Sequence, residues 1–120
     1  MHMSVEKLTI YHNPSCSKSR ETLAILQDNN RQPEIIEYLQ QPPSKEELTS
    51  IVKLLGISPR QLLRTGEPEY REAELDNEST TDEQIIAAIC KYPPLLQRPI
   101  VVQGNKAIIG RPPSRVLEII

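Results

Sequence analysis

An α/β fold with a mixed four-stranded sheet is what the 120-residue sequence predicts, on three observations. A β-rich run, a helical run and a second β-rich run follow one another within roughly 30 residues, the spacing of a right-handed parallel βαβ unit. Two short β-rich runs near the other end flank Gly104-Asn105, the signature of a two-residue hairpin turn. Between these halves lie helical segments that carry their own start and stop signals.

Lys7 to Tyr11 alternates and is rich in β-formers, which predicts the first strand. His12-Asn13-Pro14-Ser15 interrupts it. From about Ser17 to Asn29 the pattern is helical, with Leu23 and Leu26 on one face and Ile25 nearby. Glu34 to Leu39, after Pro33, reads as the second strand, and Gln41-Pro42-Pro43 ends the unit. Ser44-Lys45-Glu46-Glu47 is a capping box ahead of Leu48, Ile51, Val52 and Leu55 at helical spacing, and Gly56 closes that helix. Ser58-Pro59 opens a short helix carrying Leu62, Leu63 and Arg64. Glu67 to Ser79 is polar and reads as an irregular surface segment. Thr81-Asp82-Glu83-Gln84 is a second capping box, leading Ile85, Ile86, Ile89 and Cys90 into a helix that Pro93-Pro94 terminates. Ile100 to Gln103 and Lys106 to Ile109 form the hairpin, and a last helix runs from about Pro112-Pro113 toward Ile120. A β-α-β half followed by a β-β-α half is the thioredoxin-like plan. It makes residues 5–120 a single domain with a helical insertion at about 44–92, an α+β sandwich of another topology being the alternative.

Composition narrows the function. Apolar residues make up 38% and charged residues 25%, ordinary for a globular chain, and with no Phe or Trp the core falls to Leu, Ile and Val. A net charge of −2 gives no footprint for nucleic acid or an anionic membrane, and no apolar run approaches the roughly 20 residues of a span. Two cysteines with no signal peptide ahead of them predict reduced thiols and a cytoplasmic setting. Met1-His2 ahead of Met3 reads as a cloning remnant, which removes His2 from the chemistry.

Cys16 falls at the junction of the first strand and first helix, where unpaired N–H groups and the positive helix end converge. That setting lowers a thiol's pKa and attracts anions. Lys18 and Arg20 add positive charge, and His12 lies four residues upstream. Without chemistry, Cys16 is simply a small residue at a helix start. The motif Cys16-Ser17-Lys18-Ser19 is C-x-x-S, so no resolving cysteine lies one turn along. Cys90, four residues after Ile86, sits where a buried structural cysteine would, and an oxidised Cys16 then needs an external thiol such as glutathione. A phosphatase-type loop requires C-x5-R, whereas Arg20 stands at C-x3-R and Thr22 fills the required place. His12 and Cys16 offer too few ligands for a metal site.

The hairpin supplies a second constellation. With Gly104-Asn105 as the turn, register brings Arg98 and Arg111 to the same end of the sheet. Facing like charges are unfavourable unless something separates them, and an oxyanion fits arginine forks. Each arginine precedes a proline, which holds its backbone extended. Two solvated arginines splayed apart, with prolines guarding a sheet edge, is the plainer alternative.

Taken together, His12-Asn13-Pro14-Ser15-Cys16-Ser17-Lys18-Ser19-Arg20, Leu62-Leu63-Arg64, Arg98-Pro99-Ile100-Val101 and Gly110-Arg111-Pro112 resemble the glutaredoxin-coupled arsenate reductases of bacteria, of the short chromosomal type. The likeness spans nearly the whole sequence in the same order. It implies that Cys16 is the nucleophile, that His12 lowers its pKa, and that Arg64, Arg98 and Arg111 hold arsenate and the arsenite product. Asn13, Ser19, Arg20 and Pro99 would support them, with Pro99 as the cis-proline of thioredoxin-like folds. The resemblance further implies no metal and no bound cofactor, glutathione as reductant, glutaredoxin as partner, and a monomer. Two other functions compete: a glutathione-dependent oxidoreductase for another oxyanion or for protein disulfides, and a noncatalytic regulator like the related Spx proteins. Three arginines disfavour a protein-disulfide substrate, and Spx-type C-x-x-C is absent here.

Overall fold

A computed structural model describes residues 7–120, so the Met1-His2 remnant lies outside the described residues. The chain divides into two compact units: the described part of Met1–Glu37 with Arg98–Ile120, and Tyr38–Gln97.

The first unit is built on a four-stranded sheet of order β2-β1-β3-β4, with β1 at Leu8–His12, β2 at Glu34–Glu37, β3 at Ile100–Gln103 and β4 at Lys106–Ile109. Helix α1, Ser17–Asp28, connects β1 to a parallel β2, with Ile10 opposite Ile35 and His12 opposite Glu37. Strand β3 runs antiparallel to β1, pairing Tyr11 with Ile100 and Leu8 with Gln103. The hairpin register is the expected one, Ile100 against Ile109 and Gln103 against Lys106, with Gly104 at φ 57° in the turn. A left-handed φ of that kind is what a tight hairpin turn requires of its first residue, and glycine adopts it without a steric penalty.

Strand β1 is central and all five of its residues are buried. Leu8 and Ile10, two apart on one face, pack with Leu26, Val101, Ile108, Val116 and Ile119, and Leu23, Ile25 and Ile120 cover the margin. At roughly 1.5–3 kcal/mol for each fully buried aliphatic side chain, this cluster is the main stabiliser of the unit. The expected last helix is instead a 3-10 segment, Pro113–Glu118, lying against α1. Strand β2 also stops short of Leu39, because its pairing with β1 ends where β1 ends, at His12–Glu37.

The second unit contains α2 (Lys45–Leu55), α3 (Pro68–Glu72) and α4 (Asp82–Lys91), with 3-10 turns at Pro59–Leu62 and Pro93–Leu95. Both capping boxes form. Glu47 N–H donates to Ser44 Oγ at 3.1 Å and Ser44 N–H to Glu47 Oε1 at 3.2 Å. Gln84 N–H donates to Thr81 Oγ1 at 3.2 Å and Thr81 N–H to Gln84 Oε1 at 2.8 Å. Gly56 ends α2 in the left-handed conformation, φ 68°. The segment from Glu67 to Ser79 is not irregular throughout: it contains α3, and Leu75 is 2% exposed. Arg60 ties it down, donating to the carbonyls of Leu75 at 2.8 Å and Asn77 at 3.3 Å.

Candidate active site

The end of β1 delivers the chain into a short turn that sets Cys16. Asn13 Oδ1 accepts from Ser15 N–H at 2.9 Å, and the Asn13 carbonyl accepts from Cys16 N–H at 3.0 Å. This side-chain-closed turn is a common use of asparagine. Cys16 is then the N-cap of α1, with extended φ and ψ, its carbonyl accepting the first helical bond from Arg20 N–H. Its thiol stands over the unpaired N–H groups of the first turn.

The thiol is buried, 8% exposed. Burial is the largest single influence on it and pushes its pKa up. The Ser19 N–H, the Arg98 guanidinium and the Lys18 N–H act in the other direction and together prevail, so the thiol lies below its ordinary value. Arg98 contributes both as a charge and as a hydrogen-bond donor. Arg111 Nη2 is 3.8 Å from Sγ.

The two arginines are placed by the hairpin. Gly110 N–H donates to the Pro99 carbonyl at 2.9 Å, extending the β3–β4 pairing past Ile100 and Ile109. Arg111 Nε donates to the Arg98 carbonyl at 2.8 Å, which anchors its guanidinium on a neutral oxygen. Nε and Nη1 of Arg98 are buried and have no hydrogen-bond partner among the described residues. Buried donors of a charged group without partners are costly, and the oxygens of an anion would satisfy them. Both Arg98-Pro99 and Arg111-Pro112 peptides are cis.

His12, 6% exposed, has its Nδ1 2.6 Å from Ser19 Oγ. Burial holds the imidazole below its usual pKa; Glu37 opposes this and Arg20 adds to it. Ser19 is fully buried and its Oγ also accepts from Asn13 N–H at 3.0 Å. Arg20 is exposed and directs Nη1 to the Pro14 carbonyl at 2.9 Å, while Lys18 Nζ pairs with Glu21 at 3.8 Å. His12, Asn13, Cys16, Ser19, Arg20, Arg98, Pro99 and Arg111 therefore all belong to the first unit. Arg64 belongs to the second, where Nη1 pairs with Glu67 at 3.0 Å and its N–H donates to the Leu95 carbonyl at 2.8 Å. Cys90 is partly exposed on α4, its thiol raised chiefly by burial.

Two residues that shape the site were not among its expected members. A Cβ on Gly110 would stand 2.5 Å from Thr22 Oγ1 and 2.8 Å from Pro99 Cγ, so bare backbone is what lets β4 approach α1 there. Thr22 is fully buried and its hydroxyl donates to the Lys18 carbonyl at 2.8 Å. Among the described residues no three His, Cys, Asp or Glu side chains group as metal ligands, and no helix is long and apolar enough to cross a membrane.

A lowered thiol at a helix start, with buried arginine donors beside it on a thioredoxin-like sheet, defines a thiol protein equipped for an oxyanion. Residues 11–119 match the ArsC family, and the chain belongs to it. It is 51% identical to an arsenate reductase of Haemophilus influenzae, over 92% of this chain and 97% of that protein. It is 47% identical to the uncharacterized protein YfgD of Escherichia coli K12, over 96% of this chain and 98% of the relative. Among solved structures, an arsenate reductase from Vibrio cholerae superposes with a TM-score of 0.93 at 43% identity, over 98% of this chain and all of that one.

Proposed function

We propose that the chain is an arsenate reductase that draws on glutathione and glutaredoxin, with Cys16 as its nucleophile. One observation carries the reading. Beside a cysteine whose thiol is held low, Arg98 presents two buried guanidinium nitrogens that have no hydrogen-bond partner among the described residues. A protein-disulfide substrate would leave those donors unanswered, whereas the acceptor oxygens of an oxyanion satisfy them.

Arsenate binds against Arg98 and Arg111, and the Cys16 thiolate attacks As(V). An arsenic–oxygen bond breaks, its oxygen takes up protons and leaves as water, and a sulfur–arsenic bond remains. A glutathione thiolate then attacks the Cys16 sulfur. The sulfur–arsenic electron pair passes to arsenic, which departs as arsenite, and Cys16 is left in a mixed disulfide with glutathione. The two electrons gained by arsenic are the two lost by the sulfurs. Glutaredoxin removes the glutathione and returns the thiolate. Positive charge fixed before the reaction stabilises the oxyanion throughout. Arg64 enters this proposal on its sequence motif alone.

The test is NADPH consumption coupled through glutathione reductase, glutathione and glutaredoxin, with arsenate as substrate. Arsenate-dependent turnover by the wild type, abolished in Cys16→Ser, is expected. Turnover that survives Cys16→Ser, or none in the wild type, overturns the reading.

A further inference from the structure

We propose that His12 acts as a neutral hydrogen-bond partner of Ser19, and that this buried pair, holding the turn before α1 in place, is how His12 makes Cys16 reactive. His12 is thus a positioning residue. The inference concerns how the thiol is held and does not require arsenate to be the substrate.

The hydrogen-bond inventory of Ser19 carries the argument. A serine hydroxyl has one proton to donate and two lone pairs to accept with. One lone pair takes the Asn13 N–H at 3.0 Å. The other contact of Oγ is His12 Nδ1 at 2.6 Å. Ser19 is fully buried, and among the described residues its proton has no acceptor other than that nitrogen. The arrangement that satisfies every group is O–H donating into an unprotonated Nδ1, which leaves the ring neutral with its proton on Nε2. A doubly protonated ring would aim an N–H at Oγ and leave the buried hydroxyl proton unpaired. Of the charged groups acting on the ring, Glu37 across the β1–β2 pairing favours protonation, while Arg20 and burial disfavour it, burial most of all.

The consequence for Cys16 runs through backbone. Ser19 Oγ grips Asn13 N–H, and the Asn13 carbonyl grips Cys16 N–H at 3.0 Å. The same Ser19, through its own N–H, helps hold the thiol low, with Lys18 N–H and Arg98, and Arg111 Nη2 approaches Sγ at 3.8 Å. One residue therefore fixes both ends of the geometry: where the cysteine sits and where the amide that stabilises its thiolate points. The imidazole locks the rotamer that makes this possible. The groups that favour the thiolate are these amides and Arg98, and the imidazole is not among them.

The experiment measures the Cys16 alkylation midpoint against pH in a Cys90→Ser background, for His12→Ala, His12→Asn and Ser19→Ala. An asparagine side chain can place an amide group near the former Nδ1 but can never carry charge. His12→Ala and Ser19→Ala are expected to raise the midpoint alike, by about one pH unit, a tenfold loss of thiolate below it. The double variant should add little, and His12→Asn should stay near wild type. If Asn raises the midpoint as Ala does, or if Ser19→Ala leaves it unmoved, the proposal fails. A second measurement reads the ring itself. Imidazole nitrogen NMR of the Cys90→Ser protein, assigned against His12→Asn, should show an unprotonated Nδ1 at neutral pH. A doubly protonated His12 ring at neutral pH would overturn it.

Discussion

Gly110→Ala places one methyl group where α1 and the end of β4 meet. The new Cβ would lie 2.5 Å from Thr22 Oγ1, 3.2 Å from Thr22 Cγ2 and 2.8 Å from Pro99 Cγ. Ordinary carbon contacts are about 3.5–4.0 Å, so something must move by several tenths of an ångström or more. Thr22 is fully buried and Pro99 is held by the Gly110 N–H itself, so neither yields freely. Overpacking of this kind costs about 1–3 kcal/mol. For a domain near 100 residues that lowers Tm by about 4–8 °C per kcal/mol. Thr22→Ala removes the two threonine contacts and leaves only Pro99 crowded. The Gly110→Ala penalty should therefore shrink by roughly 1 kcal/mol or more in the Thr22→Ala background, a coupling that a double-mutant cycle reads from urea unfolding. Arg111 follows Gly110, so the same displacement should also weaken anion protection of Cys16. An equal penalty in both backgrounds, or none at all, would refute the view that close backbone approach is why residue 110 is glycine.

Further outcomes are expected from the same geometry. Arg98→Ala removes two buried donors. At about 1.5–3 kcal/mol for each charge-assisted bond, oxyanion protection of Cys16 against alkylation should weaken by roughly tenfold to a hundredfold per bond lost. Arg98→Lys should fall between, keeping charge but losing the fork; undiminished protection in Arg98→Ala would count against the cradle. Native Cys16 releases its proton below its ordinary value, so across that window the unfolded chain holds more protons than the folded one. Stability should accordingly rise with pH through the window and be lost as pH falls through the native value, an increment absent in Cys16→Ser under reducing urea titration. Identical pH profiles for the two proteins would contradict a lowered thiol. Cys90, raised by burial, should alkylate at higher pH than Cys16, and Cys90→Ser should retain most activity; equal loss in both serine variants would point to an internal disulfide.

Much of this was legible because the signals were local. Gly104-Asn105 fixed the hairpin register by turn geometry alone, and that register carried Arg98 and Arg111 to one end of the sheet. Ser44 with Glu47, and Thr81 with Gln84, marked helix starts because capping boxes are completed within four residues. What stayed hidden depended on contacts between distant segments. Leu75 is buried in a stretch too polar for any apolar period, and Arg60 anchors it through carbonyls that no side-chain pattern encodes. Ser19 looks like one more polar residue on a helix, and only the return of the β1 end beside α1 turns it into the buried partner of His12. Thr22 and Gly110 meet across most of the sequence, so neither could announce the other. Lys18 and Arg20 were expected to act on the thiol as charges. Their side chains turn instead to Glu21 and the Pro14 carbonyl, and Lys18 acts through its backbone.

The fate of Cys16 in a single turnover tests the proposed chemistry most directly. Reduced protein is mixed with arsenate and glutathione in the absence of glutaredoxin, then quenched with acid and analysed by intact mass and peptide mapping. The expected result is one glutathione on Cys16, formed only when arsenate is present, with one arsenite released for each protein modified. Arsenite appearing without that adduct, or a disulfide between Cys16 and Cys90 in its place, would contradict it.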